Sequence, residues 1–289
     1  MKIPLLTAVN FSGGRQSAFL VEAVLCGEIP KPPGMAVFFA DPGMENWQTY
    51  ATVRDVAARC AQEGIYFEAV QGPNLYEDLV SLGRGHQDRA DNPPYWTKDS
   101  AGKIGQLTQK CTREYKIRPL DRAVRRYLSR VHGIGMQTKR LPVGCVVKWI
   151  GFGADEKHRC TEAAQKYQRL EYPLISLGLT RADIDAWFDN KGIPLPPPSA
   201  CVACFSAGLR TLQEMHEERP GDWAKAVAVD EAIRYGMPGA KNPCFVSRTC
   251  IPLRTLPTMG FDASPLVERG PGPAGDDDDY ACDSGVCFV

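Results

Sequence analysis

No apolar run in this chain of 289 residues approaches eighteen residues, so nothing in it reads as a membrane-spanning helix. The first residues lack the charged, apolar and small-residue succession of a secretory leader, and the expectation is a cytoplasmic protein with no membrane partner. Charge of one sign is not in excess. Lys plus Arg and Asp plus Glu number 34 each, which argues neither for nor against a polyanionic partner. No internal repeat is present, which sets aside solenoids and propellers. The G-x-x-x-x-G-K-[ST] spacing of a Walker A loop is missing too. What is there is 44% apolar residues, enough for a full core in one large domain or a domain with a subdomain. There are also 11 cysteines, an odd number, which favours thiol or metal chemistry over a disulfide scaffold.

The stretch that organises the chain is Phe11-Ser12-Gly13-Gly14-Arg15-Gln16-Ser17. The apolar run 5–9 before it reads as a buried strand, and 18–25 after it as a helix. A strand, a glycine turn and a helix start bring bare N–H groups to one point, a seat for a phosphate or an ordinary αβ turn. Met35 to Ala40 is a second strand, ending in a turn with Asp41 and Glu45. Asn46 caps a helix to about 63, and Tyr66 to Val70 is a third strand. This alternation implies a doubly wound parallel sheet with ligands beyond the carboxyl ends of its strands.

Residues 83–109, polar and glycine-containing, are expected to form a long loop over the site. Pro119 suits the first turn of a helix running to about 130. A strand over 145–153 leads to Gly153-Ala154-Asp155-Glu156-Lys157-His158-Arg159. Residues 172–175 read as a short extended piece, and a helix starts at Thr180 and stops at Gly192. Pro194 to Pro198 form a stiff linker to Cys201-Val202-Ala203-Cys204, with helical material beyond. The expected organisation is a nucleotide-binding α/β domain over 1–195, a cysteine-bearing helical region over 196–260, and a flexible acidic tail over 261–289. Cys26 and Cys60 fall on apolar helix faces and read as core packing.

Taken in order, these segments resemble the PP-loop superfamily of N-type ATP pyrophosphatases, within it the phosphoadenylylsulfate (PAPS) reductase-like branch. The matching pieces are Ser-Gly-Gly-x-x-Ser at 12–17, Phe-Ala-Asp-Pro-Gly-Met-Glu at 39–45, Cys-Thr-Arg-Glu-Tyr-Lys-Ile-Arg-Pro at 111–119, Gly-x-x-Ala-Asp-Glu-x-x-Arg at 151–159 and Cys-x-x-Cys at 201–204. The resemblance implies an adenine nucleotide alpha hydrolase-like fold with ATP, or a sulfonucleotide, on the sheet edge. Ser12, Gly13, Gly14, Arg15, Gln16 and Ser17 would hold phosphates. Asp41 and Glu45 would line the adjacent pocket or place Mg2+. Asp155, Glu156 and Arg159 would lie on the nucleotide side rather than form a plain helix N-terminal charge set, and Arg113, Lys116 and Arg118 beside the site would hold anionic phosphates or sulfate near the reacting atoms. The branch's usual Lys-Asp in the loop is Arg15-Gln16 here, which removes a carboxylate.

Cys111, Cys201 and Cys204 match three of the four cluster thiolates of the reductases, and Lys110 stands where the fourth would be. Three thiolates suit a [4Fe-4S] cluster with one open iron, used by related sulfur-transfer enzymes. Structural Zn2+ with His158, Cys160 or Cys244 as fourth ligand is the alternative, and two core thiols with no metal the third reading. Cys282 and Cys287 hold a place analogous to the reductases' tail nucleophile, though the flanking residues differ. Between 110 and 140 stand ten Lys/Arg against Glu114 and Asp121; the run 110–130 reads as a solvated helix face, or its outer residues Arg122, Arg125, Arg126 and Arg130 as a contact for a nucleic-acid backbone. Three functions are therefore in view. They are ATP-dependent adenylation with sulfur transfer from a sulfur donor, sulfonucleotide reduction by a tail thiol, and a nucleotide-binding module with structural zinc.

Overall fold

The computed structural model of the chain describes residues 3–85, 93–134 and 141–261. Strands Leu6–Phe11 (β1), Met35–Asp41 (β2) and Tyr66–Gln71 (β3) alternate with helices Arg15–Leu25 (α1) and Trp47–Gln62 (α2), and Leu75–Leu82 (α3) follows. Next come short strands Trp96–Lys98 (β4) and Ile104–Gln106 (β5), then a π-helical segment, Thr112–Ile117, that runs into Arg118–His132 (α4). Val146–Trp149 (β6) leads through a 3-10 turn, Ala154–Arg159, to Gln168–Glu171 (β7), the helical turn Pro173–Ser176 (α5) and Arg181–Lys191 (α6). The remainder is Leu209–Glu218 (α7), Pro220–Gly236 (α8), Cys244–Phe245 (β8), a 3-10 turn and Leu256–Met259 (α9).

The main sheet runs β3-β2-β1-β6-β7, every pair parallel. Strand alternation sends its two sets of side chains to different helices. Val9, Phe11, Val37, Phe39 and Trp149 pack with α1, α2 and α6. Leu6, Ala8, Ala36, Phe38 and Val146 pack with Leu120, Val124 and Leu128 of α4. Helices therefore cover both faces, as a doubly wound α/β sheet requires. Local chemistry sets the helix starts: the Asn46 side chain accepts from Thr49 N at 2.7 Å, and Thr180 and Asp183 form a capping box.

A second core joins α3, α7 and α8 with Met44, Tyr95, Tyr115 and Val202. The helical region expected over 196–260 thus shares its apolar interior with residues before 195. The long-loop expectation for 83–109 is corrected over its described part. Trp96–Lys98 and Ile104–Gln106 form a hairpin, and Trp96 and Thr97 pair with Phe245 and Cys244. Trp96 Nε1 also donates to Phe205 O at 2.7 Å. Three-residue strands carry too little periodicity to be read locally, and their partner lies far along the chain. Residues 172–175 are likewise corrected, because the strand is Gln168–Glu171 and Pro173 opens a helical turn. Cys60 is buried as expected, whereas Cys26 is exposed just past the end of α1.

Among the described residues no helix is long and apolar enough to cross a membrane. The expected tail with Cys282 and Cys287 lies outside the described residues, as do 86–92 and, in the basic stretch, Lys139 and Arg140.

Candidate functional site

Strand order reverses between β1 and β6, and in open α/β sheets a crevice forms beyond such a switch point. Here Ser12, Gly14 and Ser17 face Gly151 and Phe152 across a pocket also lined by Asn10, Arg159 and Ser199. The loop is tied to itself: Ser12 N and Gly14 N donate to Ser17 Oγ and Ser12 Oγ at 3.1 and 3.2 Å, and Ser17 Oγ donates to Gly14 O at 3.0 Å. Helix α1 has no side-chain cap, so the N–H groups of its first turn remain available to an anion. Gly13 sits at φ +78°, and a Cβ there would lie 2.6 Å from Thr49 Cγ2. Gly13→Ala is therefore expected to cost about 1–3 kcal/mol of stability, checked by urea unfolding. Unchanged stability would contradict the loop geometry.

The two departures in the loop have distinct placements. Arg15 does not hold its charge over the pocket alone: Nε donates to Pro196 O at 3.2 Å and Nη1 pairs with Asp185 Oδ2 at 3.0 Å. It fastens the proline linker to α6. Gln16 donates to the buried carboxylate of Glu156, which also accepts from Gly153 N at 3.2 Å and pairs with Arg159. Arg159 lies 3.9 Å over the Phe152 ring. A carboxylate from the β6 exit thus meets the loop where the branch pattern has its own acid. Asp155, the neighbouring expectation, is exposed. Nothing local separates Glu156 from Asp155; the helical-turn phase after β6 decides that Glu156 is the one turned inward.

Asp41 is fully engaged: Oδ1 accepts from Gly43 N at 2.8 Å and Tyr50 Oη at 2.7 Å, and Oδ2 from Gln71 at 3.2 Å. Burial and that carboxylate push the Tyr50 phenol far up. Glu45 is 2% exposed; its Oε1 accepts from Lys116 Nζ at 2.9 Å and stands 3.9 Å from Cys201 Sγ, while its Oε2 is buried with no partner among the described residues.

The linker reaches Glu45 by crossing the loop. A Cβ on Gly14 would sit 3.1 Å from Ser199 Oγ, and two residues on the chain pairs antiparallel with the Glu45 turn. Val202 N donates to Met44 O at 2.8 Å, and Asn46 N to Ala200 O at 3.2 Å. This brings Cys201 and Cys204 to one small cavity with Cys111, walled by Pro42, Met44 and Phe205. Tyr95, wholly buried, donates to Ala203 O at 3.3 Å, and burial, with Cys111, Cys201 and Cys204 nearby, raises its phenol well above the usual value. Burial pushes the thiols of Cys60, Cys244 and Cys250 up to about 11, which removes them as nucleophiles near neutral pH. His158 is exposed in the 3-10 turn after β6, and Cys160 is exposed just past its end.

Lys116 belongs to the thiol cavity, whereas Arg113, with a side chain 71% exposed, lines a separate groove with Arg118 and Asp121. Farther along α4, Arg125 lies 4.9 Å over Tyr167, Arg130 lies 4.6 Å over Tyr66, and Arg126 pairs with Glu68 at 2.7 Å. No known family model matches this chain, and no curated protein is detectably similar to it.

Proposed function

We propose that the chain is a PP-loop-type enzyme that binds ATP at the Ser12–Ser17 loop, adenylates an acceptor and passes sulfur to it. The observation that carries the reading is the run Ser199–Cys201, which lies against Gly14 at one end and beside Glu45 and the three-thiol cavity at the other. Nucleotide chemistry and thiol chemistry then share one cleft.

The N–H groups of the α1 first turn and the hydroxyls of Ser12 and Ser17 bind the phosphates. An acceptor oxygen attacks the α-phosphorus, the bond to the bridging oxygen breaks, and pyrophosphate leaves. Sulfide from a donor then displaces AMP from the adenylated carbon. Lys116, held by Glu45, supplies positive charge beside the cleft, and Arg159 does so on the far side of the loop. Mg2+, when bound, neutralises phosphate charge; the free oxygen of Glu45 fits it better than Asp41, whose oxygens already accept three bonds.

Cys111, Cys201 and Cys204 would hold a [4Fe-4S] cluster, which supplies an iron open to sulfide. Zinc draws its thiolates to about 2.3 Å from one point, whereas each cluster thiolate holds its own iron. A structural zinc site also takes four ligands, and the cavity presents three thiols. The reading of sulfonucleotide reduction depends on Cys282 and Cys287, outside the described residues.

Anaerobically purified protein is expected to convert ATP slowly to AMP and pyrophosphate with water as acceptor. Release of phosphate and ADP instead, or of sulfite from a sulfonucleotide, would replace this reading.

A further inference from the structure

A groove of about 610 Å³ lies between α4 and the β6–β7 edge and opens into the loop pocket past Asn10, Ile150 and Phe152. We propose that this groove is a second binding site, taking one nucleotide unit of a single-stranded nucleic acid with its base inward and its phosphates along α4. The volume lies in the range of small-ligand sites.

Its floor is rich in hydrogen-bond acceptors. Lys148, 4% exposed, donates to Asp121 Oδ1 at 2.6 Å, so the two charges offset one another. Asp121 also accepts from the side-chain nitrogens of Gln165 and Gln168 at 2.9 and 2.8 Å. Gln168 Nε2 also donates to Tyr167 Oη at 2.8 Å, so both of its N–H groups are used and its carbonyl oxygen remains as an acceptor, while Gln165 keeps one N–H beside its carbonyl oxygen. Asn10 Oδ1, where groove and loop pocket meet, is buried with no partner among the described residues. Acceptors in this setting call for N–H donors from a ligand, since leaving such groups unmet costs free energy. One side of the groove carries Phe152 and Tyr172, their rings stacked 5.7 Å apart at 17°. Flat apolar surface beside amide acceptors suits a nucleobase with an amino or ring N–H group.

The other wall is α4, and its exposed residues say what is attached to that base. Arg118, Arg122, Arg126 and Arg130 recur every four residues and are all exposed, a stripe leading away from the groove. The helix's single acid, Asp121, is already neutralised by Lys148. Glu114 and Glu68 pair with Arg118 and Arg126 at the surface, and such pairs are weak enough to be exchanged for phosphate. Glu162 adds one exposed acid to the far wall. A free mononucleotide needs no charge beyond the groove, but a strand does. A base must also leave a duplex to enter a pocket, so the strand is single.

Identifying the bound unit as the sulfur acceptor rests on the proposed function; the binding itself does not. The test uses the full chain with its loop saturated by α,β-methylene ATP. Labelled single strands of about twelve nucleotides, RNA and DNA, are titrated over a salt series beside the same strands annealed and beside free mononucleotides. The expected result is binding of the single strand, weakened about fivefold and with a shallower salt slope in Arg122→Glu, at unchanged affinity for the ATP analogue. Gln165→Met should weaken the strand without altering the salt slope. Equal binding of duplex, full competition by mononucleotides with no effect of Arg122→Glu, or no strand binding at all would overturn the proposal. Strand binding that keeps its Arg122 dependence in a protein that does not bind the ATP analogue would overturn the proposed function and leave the groove standing.

Discussion

Serine at Cys111, Cys201 or Cys204, one at a time, is expected to strip most iron and acid-labile sulfide from anaerobically purified protein and to bring sulfur transfer to background. Pyrophosphate release from ATP should persist. The expectation follows from placement: the three thiols come from separate pieces of chain yet line one cavity, and each lies close enough to Tyr95 to raise its phenol. Loss of an outer-shell partner alone costs a metal site about 10–100-fold in affinity, and loss of a ligand costs more. Serine keeps the shape of the side chain but offers a poor ligand, so the fold should survive. Cys60→Ser serves as control, because its thiol is buried in the sheet core away from that cavity. The measurement is metal and sulfide content per chain with an ultraviolet–visible spectrum. Zinc in place of iron would favour a structural site, and a metal-free wild type would remove the sulfur-transfer reading altogether.

Asp230→Ala is expected to lower the unfolding free energy by about 3–5 kcal/mol, the usual cost of removing one partner from a buried ion pair. Asp230 is 0% exposed on α8; its carboxylate accepts from Val246 N at 2.9 Å and Leu253 N at 3.0 Å and pairs with Arg234. Arg234 in turn donates to Cys244 O at 2.8 Å and covers the Phe245 ring. One carboxylate therefore fastens β8 and the segment after it to α8, and β8 carries the hairpin that Trp96 anchors to Phe205. Alanine would leave two N–H groups and a guanidinium unmet. Burial raises the Asp230 carboxyl above the usual range against the pull of Arg234 and the two N–H groups. With the folded pKa above the unfolded one, its contribution is complete below the unfolded value and declines as pH rises through the folded value. Urea unfolding followed by tryptophan fluorescence, repeated across that pH window, measures both effects. A loss under about 1 kcal/mol would mean that the segment is held by its apolar contacts instead, as for an ordinary surface substitution.

Much of this architecture was written locally. Alternating apolar strands and helices in the first seventy residues, the Asn46 and Thr180 caps and Pro119 at the head of α4 all act over a few residues, so their meaning survives without the rest of the chain. The loop at 12–17 and the turn at 41–45 are legible for the same reason, and a parallel sheet puts both at strand ends. The partners of their side chains are another matter. Arg15 is engaged by Asp185, Gln16 by Glu156 and Glu45 by Lys116, across 170, 140 and 71 residues of sequence. No periodicity reaches that far.

The sequence by itself determined a parallel α/β sheet with a glycine turn at a strand end, and three cysteines in an order that suggested a site. Tertiary structure decided that Glu156 meets the loop, that Arg15 clamps the linker, that 96–106 is a hairpin paired with 244–245, and that the three thiols open on one cavity. The physical reason is range. Helix and strand preferences come from neighbours on the chain, whereas a buried charge or a three-residue strand has a defined role only once a distant segment satisfies its hydrogen bonds.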